Sequence, residues 1–209
     1  MTIALPQRLL LATHNRDKLA EFEALLGPRG IEVVGAGEAG LEEPEETETT
    51  FRGNAALKAE AASRTTGIAA LSDDSGLTVD GLGGDPGVYS ARWAGPERNF
   101  SDAMGRVLKA LGDAGHGARN ARGASFVAVL ALARPGEDTL FFEGVTRGHI
   151  APGPRGVNGF GYDPIFIPDD GDGRTFGEMS ATEKHGEDAP LSHRARAVRA
   201  FMQSLGDPG

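Results

Sequence analysis

Four clusters of side chains in this chain have residue types and spacings that could do chemistry. In "THNRDK" (13–18), Thr13, Asn15 and Lys18 surround what reads as a turn into a helix. Helix N-termini offer unpaired N–H groups and the positive end of a dipole, so a lysine beside one makes a cradle for phosphate. An N-cap with a surface lysine is the plainer alternative, and the GxxxxGK[ST] spacing of a P-loop is absent. In "LSDDSG" (71–76), Asp73 and Asp74 follow a short apolar run. Neighbours on an extended chain point to opposite faces, so only one of the two acids faces a site unless the turn rotates the other. A solvated Asx turn is the other reading. The Glu-rich loop from Glu42 to Glu48 offers a further oxygen ligand, and such hard ligands suit Mg²⁺, which takes only one or two carboxylates and leaves the rest to water and phosphate. Alone, that run reads as a solvated loop.

In the third cluster, "GVNGFGYDPIF" (156–166), glycines bracket two aromatics. Glycine lets a backbone approach a ligand closely, and an exposed ring is a flat partner for a base; an ordinary Gly-rich loop with core aromatics is equally open. The fourth, "EKHGEDAPLSHR" (183–194), places Lys184 in a loop and His193 with Arg194 in the first turn of a helix. A cation there opposes the helix dipole at a cost of about 0.3 kcal/mol or more, which points to an anion or acceptor to be met, although lone surface residues fit as well.

The elements that must position these residues alternate. "RLLLAT" reads as a buried strand and "RDKLAEFEALLG" as a helix, with Leu19, Phe22, Leu25 and Leu26 on one face and Gly27 as its cap. "IEVVG" (31–35) is a second strand. An Ala-rich helix over roughly 50–64 follows the N-caps Thr49 or Thr50, and "GIAALSDD" is a strand that ends in the acids. "FSDAMGRVLKALG" is a helix capped by Ser101. "SFVAVLALA" (125–133) and "TLFFEGVTRGHI" (139–150) form an antiparallel hairpin about "RPGED", and "SHRARAVRAFMQSL" (192–205) is the last helix. The pattern predicts an α/β fold with a mixed sheet, in which ligands sit beyond the carboxyl ends of strands.

Composition narrows the field. A chain of 209 residues, 39% hydrophobic, is long enough for one sizeable core in a single domain, with two lobes allowed. Its 31 Gly and 12 Pro make it loop-rich without low complexity. A net charge of −9 disfavours a nonspecific grip on nucleic acid. The absence of cysteine excludes disulfides, thiolate zinc sites and cysteine nucleophiles. "LLLA" (9–12) is too short for a signal peptide core, and no run of about 18 apolar residues exists to cross a membrane, so a cytoplasmic protein is expected.

Taken in order, "ATHNRDKLAEF", "EETETTFRGNAALKA", "LSDDSGLTVDGLGGDPGVYSARWAG", "GFGYDPIF" and "SHRARA" resemble the inosine triphosphate pyrophosphatase family, the house-cleaning enzymes of noncanonical purine nucleoside triphosphates. The resemblance covers about residues 8 to 205. It implies one domain over 1–209: a mixed twisted sheet flanked by helices, two-lobed, with a central nucleotide-binding cleft. It implies a Mg²⁺-dependent hydrolase of ITP, dITP and XTP that releases monophosphate and pyrophosphate, and a homodimer. The family's triphosphate-binding turn falls on Thr13, His14, Asn15, Arg16, Asp17 and Lys18, and its phosphate-proximal lysine on Lys58. Its metal-binding acids match Glu45 and Asp74, with Asp74 also the base that activates water, Asp73 in support and Ser75 touching substrate. Phe160 would stack on the purine, with Gly161, Tyr162 and Asp163 shaping the pocket and Lys184, His193 and Arg194 completing it. One departure is visible: "HGEDAPL" separates Lys184 from Ser192 by more residues than the family pattern does. A related pyrophosphatase of other modified nucleotides and a noncatalytic nucleotide-binding protein are the alternatives.

Overall fold

The structure is a computed structural model and describes residues 8–115, 121–186 and 189–205. Its strands are β1 (Arg8–Leu11), β2 (Glu32–Gly35), β3 (Ala70–Val79), β4 (Gly123–Ala133), β5 (Leu140–Ile150) and β6 (Phe166–Pro168). Its helices are α1 (Arg16–Leu26), α2 (Phe51–Thr66), α3 (Ser90–Trp93), α4 (Phe100–Asp113), α5 (Ala181–His185) and α6 (His193–Ser204). The strands form one sheet in the order β2-β1-β3-β4-β5-β6. It is mixed, as expected: β1 runs parallel to β2 and β3, and β5 antiparallel to β6. The connection over 134–139 is too short for a parallel crossover, which leaves the hairpin as the way from β4 to β5.

Local chemistry accounts for most element ends. The Asn15 side chain caps α1 by accepting from the Asp17 and Lys18 amides, and Thr50 caps α2 by accepting from Gly53 N. Gly27 follows α1 with a right-handed backbone, and the left-handed turn falls on Gly30 after one 3₁₀ turn. Helix α4 is capped by Asn99 and not by Ser101: the Asn99 carboxamide oxygen reaches the amides of Ser101 and Asp102. A hydroxyl inside the first turn lies past the orphan amides that a cap must meet.

A larger correction concerns β3. The strand does not end in its acids; it runs on through Ser75 and Gly76 to Val79, so Asp73 and Asp74 lie in mid-strand. The reason is packing, since Leu77 and Val79 are fully buried and continue the alternation beyond the polar pair.

The two lobes expected are present as two compact units, and the apolar residues of each pack among themselves. The first unit comprises residues up to Asp74, Ala128–Gly144 and residues from Ala197 on; the second comprises Ser75–Val127 and Val145–Arg196. In the first, Leu9, Leu11, Phe22, Leu26, Leu71, Leu130 and Phe201 pack together. In the second, Leu77, Val79, Val107 and Leu111 join a ring cluster of Phe126, Phe166 and Phe176. Each such side chain, fully buried, contributes roughly 1.5–3 kcal/mol of transfer free energy. Within the first unit, small side chains let α2 lie close on the sheet. Ala55, Ala59 and Ala62 are buried, and the Ser72 hydroxyl of β3 donates to the Ala55 carbonyl at 2.5 Å. That close approach sets Lys58, one turn past Ala55, beside the acids.

Candidate active site

In the first unit, two lysines meet three carboxylates. Lys18 Nζ, from the first turn of α1, lies 2.6 Å from Asp73 Oδ2. Lys58 Nζ, from α2, lies 3.2 Å from Asp74 Oδ1 and 2.7 Å from Glu46 Oε1. The opposed directions of neighbouring strand residues are realised here, for Asp73 turns to Lys18 and Asp74 to Lys58. The heart of the cluster is deeply buried: Asp73 is 1%, Asp74 5% and Lys58 6% exposed, with Lys18 and Glu46 half-buried at its edge.

Two ammonium groups against three carboxylates leave an excess negative charge in a poorly solvated place. Burial pushes the Asp74 carboxyl above the usual carboxylate value, and the nearby Lys58 and Lys18 only partly offset it. For Lys58, burial works toward deprotonation, but Asp74 and Glu46 outweigh it and hold the ammonium above its ordinary value. Asp74 Oδ2 is buried and has no hydrogen-bond partner among the described residues. An orphaned carboxylate oxygen in an acid-excess cluster costs free energy until a cation or a water meets it. No three His, Asp or Glu side chains converge as a ready ligand set among the described residues. One or two carboxylates are all that Mg²⁺ needs from a protein, so the donor set fits that ion.

The turn before α1 forms both the cap and a ring of polar groups. Thr13 Oγ1 accepts from Asn15 N at 3.2 Å, and His14 Nε2 is 2.7 Å from the Leu41 carbonyl. Arg16 and Asp17 are exposed. Glu45 is exposed too, and the neighbouring Glu46, which the sequence does not single out, is the acid that contacts Lys58. A run of glutamates in a coil has no periodicity, so nothing in it marks the one that turns inward.

The second unit holds the other cluster. Asp163 Oδ2 accepts from Lys184 Nζ at 2.9 Å and from Phe160 N at 3.4 Å, which ties the aromatic loop to a buried ion pair. Lys184 stands in α5 and not in a loop. The helix forms there because Ser180 and Glu183 make a reciprocal capping box. The long stretch after Lys184 is closed at its base, where the amides of Leu191 and Ser192 both donate to the Lys184 carbonyl; Glu187 and Asp188 of that stretch lie outside the described residues. Gly159 has to be a glycine: its φ is +75°, and a Cβ would overlap Asp163 Oδ2 and come within 2.6 Å of Lys184 Nζ.

Arg194 Nη2 donates to Ser75 Oγ at 2.8 Å, and its guanidinium lies 5.6 Å from the centre of the Phe160 ring. The His193 ring stacks on Phe126 with centroids 4.6 Å apart. Tyr162 is buried, its hydroxyl donates to the Ser90 carbonyl at 2.9 Å, and Phe100 meets its ring edge-on beside Gly161. Burial raises the Tyr162 phenol far above its ordinary value, so it stays protonated as a donor. Ser90, Phe100 and Phe126 are the participants that sequence reading passes over, since their partners are distant in sequence.

Residues 9–204 match the model of the Ham1 family. The chain is 50% identical over 203 residues to a dITP/XTP pyrophosphatase of Brucella melitensis, covering 94% of this chain and 92% of that one. It is 51% identical over 204 residues to a dITP/XTP pyrophosphatase of Bradyrhizobium diazoefficiens, covering 96% of each. Among solved structures, a HAM1 protein from Coxiella burnetii superposes with a TM-score of 0.83 at 39% identity, over 94% of this chain and 96% of that chain. A nucleoside-triphosphatase, dITP/XTP pyrophosphatase from Mycobacterium abscessus gives 0.74 at 40% identity, over 93% of this chain and 98% of that one.

Proposed function

The chain belongs to the Ham1 family, and from that premise and its two clusters we infer that it is a pyrophosphatase of noncanonical purine nucleoside triphosphates such as ITP, dITP and XTP. Water adds to the α-phosphorus, the bond from that phosphorus to the bridging oxygen breaks, and the products are nucleoside monophosphate and pyrophosphate. The observation that carries this reading is Asp74: Lys58 holds one of its oxygens and the other, Oδ2, meets no donor among the described residues. Asp74 takes the proton of the attacking water and releases it to solvent after turnover. Asp74 and Glu46, the glutamate that turns to Lys58, are the carboxylates that would hold Mg²⁺, with the exposed Glu45 beside them; when bound, the ion supplies positive charge to the triphosphate and the departing pyrophosphate. Triphosphate oxygens compete with Asp73 for Lys18 and add to what Lys58 meets, while Thr13 and the capped N-terminus of α1, with His14, Arg16 and Asp17 around it, take the phosphate end.

In the second unit, Phe160 is the stacking partner of the base, and Gly161, Tyr162 and Asp163 frame its pocket. Lys184, His193 and Arg194 supply donors for the 6-oxo acceptor of hypoxanthine or xanthine, and Ser75 steadies Arg194. Adenine sets a 6-amino donor against those donors and leaves them unpaired, which disfavours ATP. No helix among the described residues is long and apolar enough to cross a membrane. A cytoplasmic homodimer that binds no nucleic acid completes the proposal, and sedimentation tests the assembly.

The experiment is hydrolysis of ITP, XTP, ATP, GTP and modified pyrimidine triphosphates with Mg²⁺, with products resolved by chromatography. IMP plus pyrophosphate from ITP, with ATP nearly untouched, supports the reading. Turnover confined to pyrimidines, or ITP binding without turnover, refutes it.

A further inference from the structure

A largely apolar cavity that also carries cationic side chains lies within the second unit and shares no residue with the clusters above. It has a volume of about 400 Å³ and is walled by Ile150, Pro152 and Ile167, with Arg122, Arg155 and His149 among its lining residues. Arg122 is only 9% exposed. Its Nε donates to the Ile150 carbonyl at 2.8 Å and its Nη2 to the Ala151 carbonyl at 2.7 Å, so the guanidinium is held in place by backbone. No carboxylate lies within ion-pair distance of it among the described residues. Burial with no opposing acid pushes its pKa down, the mark of a cation without a counter-charge. The other two basic side chains each face an acid: Arg155 Nε is 3.3 Å from Glu178 and His149 Nδ1 is 3.4 Å from Asp169.

A chain of net charge −9 repels small anions on average, so a cavity with two guanidiniums and an imidazole stands apart from the rest of the surface. A buried guanidinium with N–H donors left over is matched by an oxyanion, and a second guanidinium at the same cavity adds donors for the several oxygens of a phosphate. The cavity is too large for a bare phosphate ion and falls in the range of small-ligand sites, about 300–1,000 Å³. Its aliphatic walls call for an apolar or ring-bearing body. We propose that this cavity binds a small phosphomonoester, its phosphate on Arg122 and Arg155 and its body against Ile150, Pro152 and Ile167. The site is separate from the proposed catalytic residues and stands or falls independently of them.

The test is NMR of the Arg122 and Arg155 Nε–Hε signals in the full chain without added metal, titrated separately with inorganic phosphate and with AMP. Both signals shift saturably with AMP, with affinity at least about tenfold tighter than for phosphate, since the body adds apolar contact with the walls. Arg155→Gln, at a half-exposed position that leaves the fold in place, weakens AMP by several fold and keeps the thermal midpoint. Absence of a saturable shift with AMP, equal affinity for the two probes, or an unchanged affinity in Arg155→Gln each overturns the proposal.

Discussion

The two clusters of named site residues are built on opposite electrostatic plans. In the first unit, Lys18 and Lys58 face Asp73, Asp74 and Glu46, leaving an acid unbalanced and an oxygen of Asp74 unmet. In the second, Lys184 meets Asp163, Arg194 donates to Ser75, and rings and backbone hydrogen bonds surround them. The unbalanced cluster is suited to receive a cation and to move a proton, at a cost in stability. The second, held by ring contacts and hydrogen bonds, is suited to stay still, which is what discrimination between neutral bases requires. Chemistry and selectivity should therefore be separable by mutation.

The sharpest break is Asp74→Asn. It keeps the shape and removes the base, so kcat for ITP falls by about 10²–10⁴-fold while the melting temperature holds or rises. Next is Lys58→Met, which leaves Asp74 and Glu46 facing each other without a cation. Denaturant unfolding is expected to show a loss of about 3 kcal/mol or more, partly recovered by millimolar Mg²⁺. Full stability without the lysine would mean that the acids are not charged together.

On the other side of the comparison, Gly159→Ala should leave the chemical step alone and disturb the Lys184–Asp163 pair. The expected result is a drop of about tenfold in the ratio of kcat/KM for ITP over ATP, read from parallel steady-state assays. The smallest effect concerns α5, which carries Lys184. Hydrogen bonds from Arg174 first, then from Ser180, hold the Glu183 carboxyl at about 2 against an ordinary 4.5. A carboxylate depressed in the folded state stabilises above its unfolded value and loses that contribution as pH falls through its folded value. Glu183→Gln should then flatten the decline of melting temperature between pH 4.5 and about 2.

Much of this was legible in the sequence, and what was not has physical causes. Apolar spacing identifies α1, α4, α6 and β1 to β5, whereas the three-residue β6 is too short to show a period, and the capping residues of α1 and α2 are readable because side-chain oxygen at a helix start has one main use. The run of β3 past Asp74 is hidden by "SG", which reads as a turn until the burial of Leu77 and Val79 is known. The division of the core between the two lobes is hidden because hydrophobic pattern says which residues are buried and not which bury each other. At the site, Lys58, Asp74, Lys184 and Arg194 are visible through a family resemblance, whereas Glu46, Ser90 and Phe126 enter through contacts that a chain read in one dimension does not display.

The central claim, attack of water on the α-phosphorus beside Asp74, is tested most directly by a single turnover of ITP in H₂¹⁸O with mass analysis of both products. The account predicts one ¹⁸O in the monophosphate and none in the pyrophosphate. Label in the pyrophosphate, or release of orthophosphate with IDP, would contradict it.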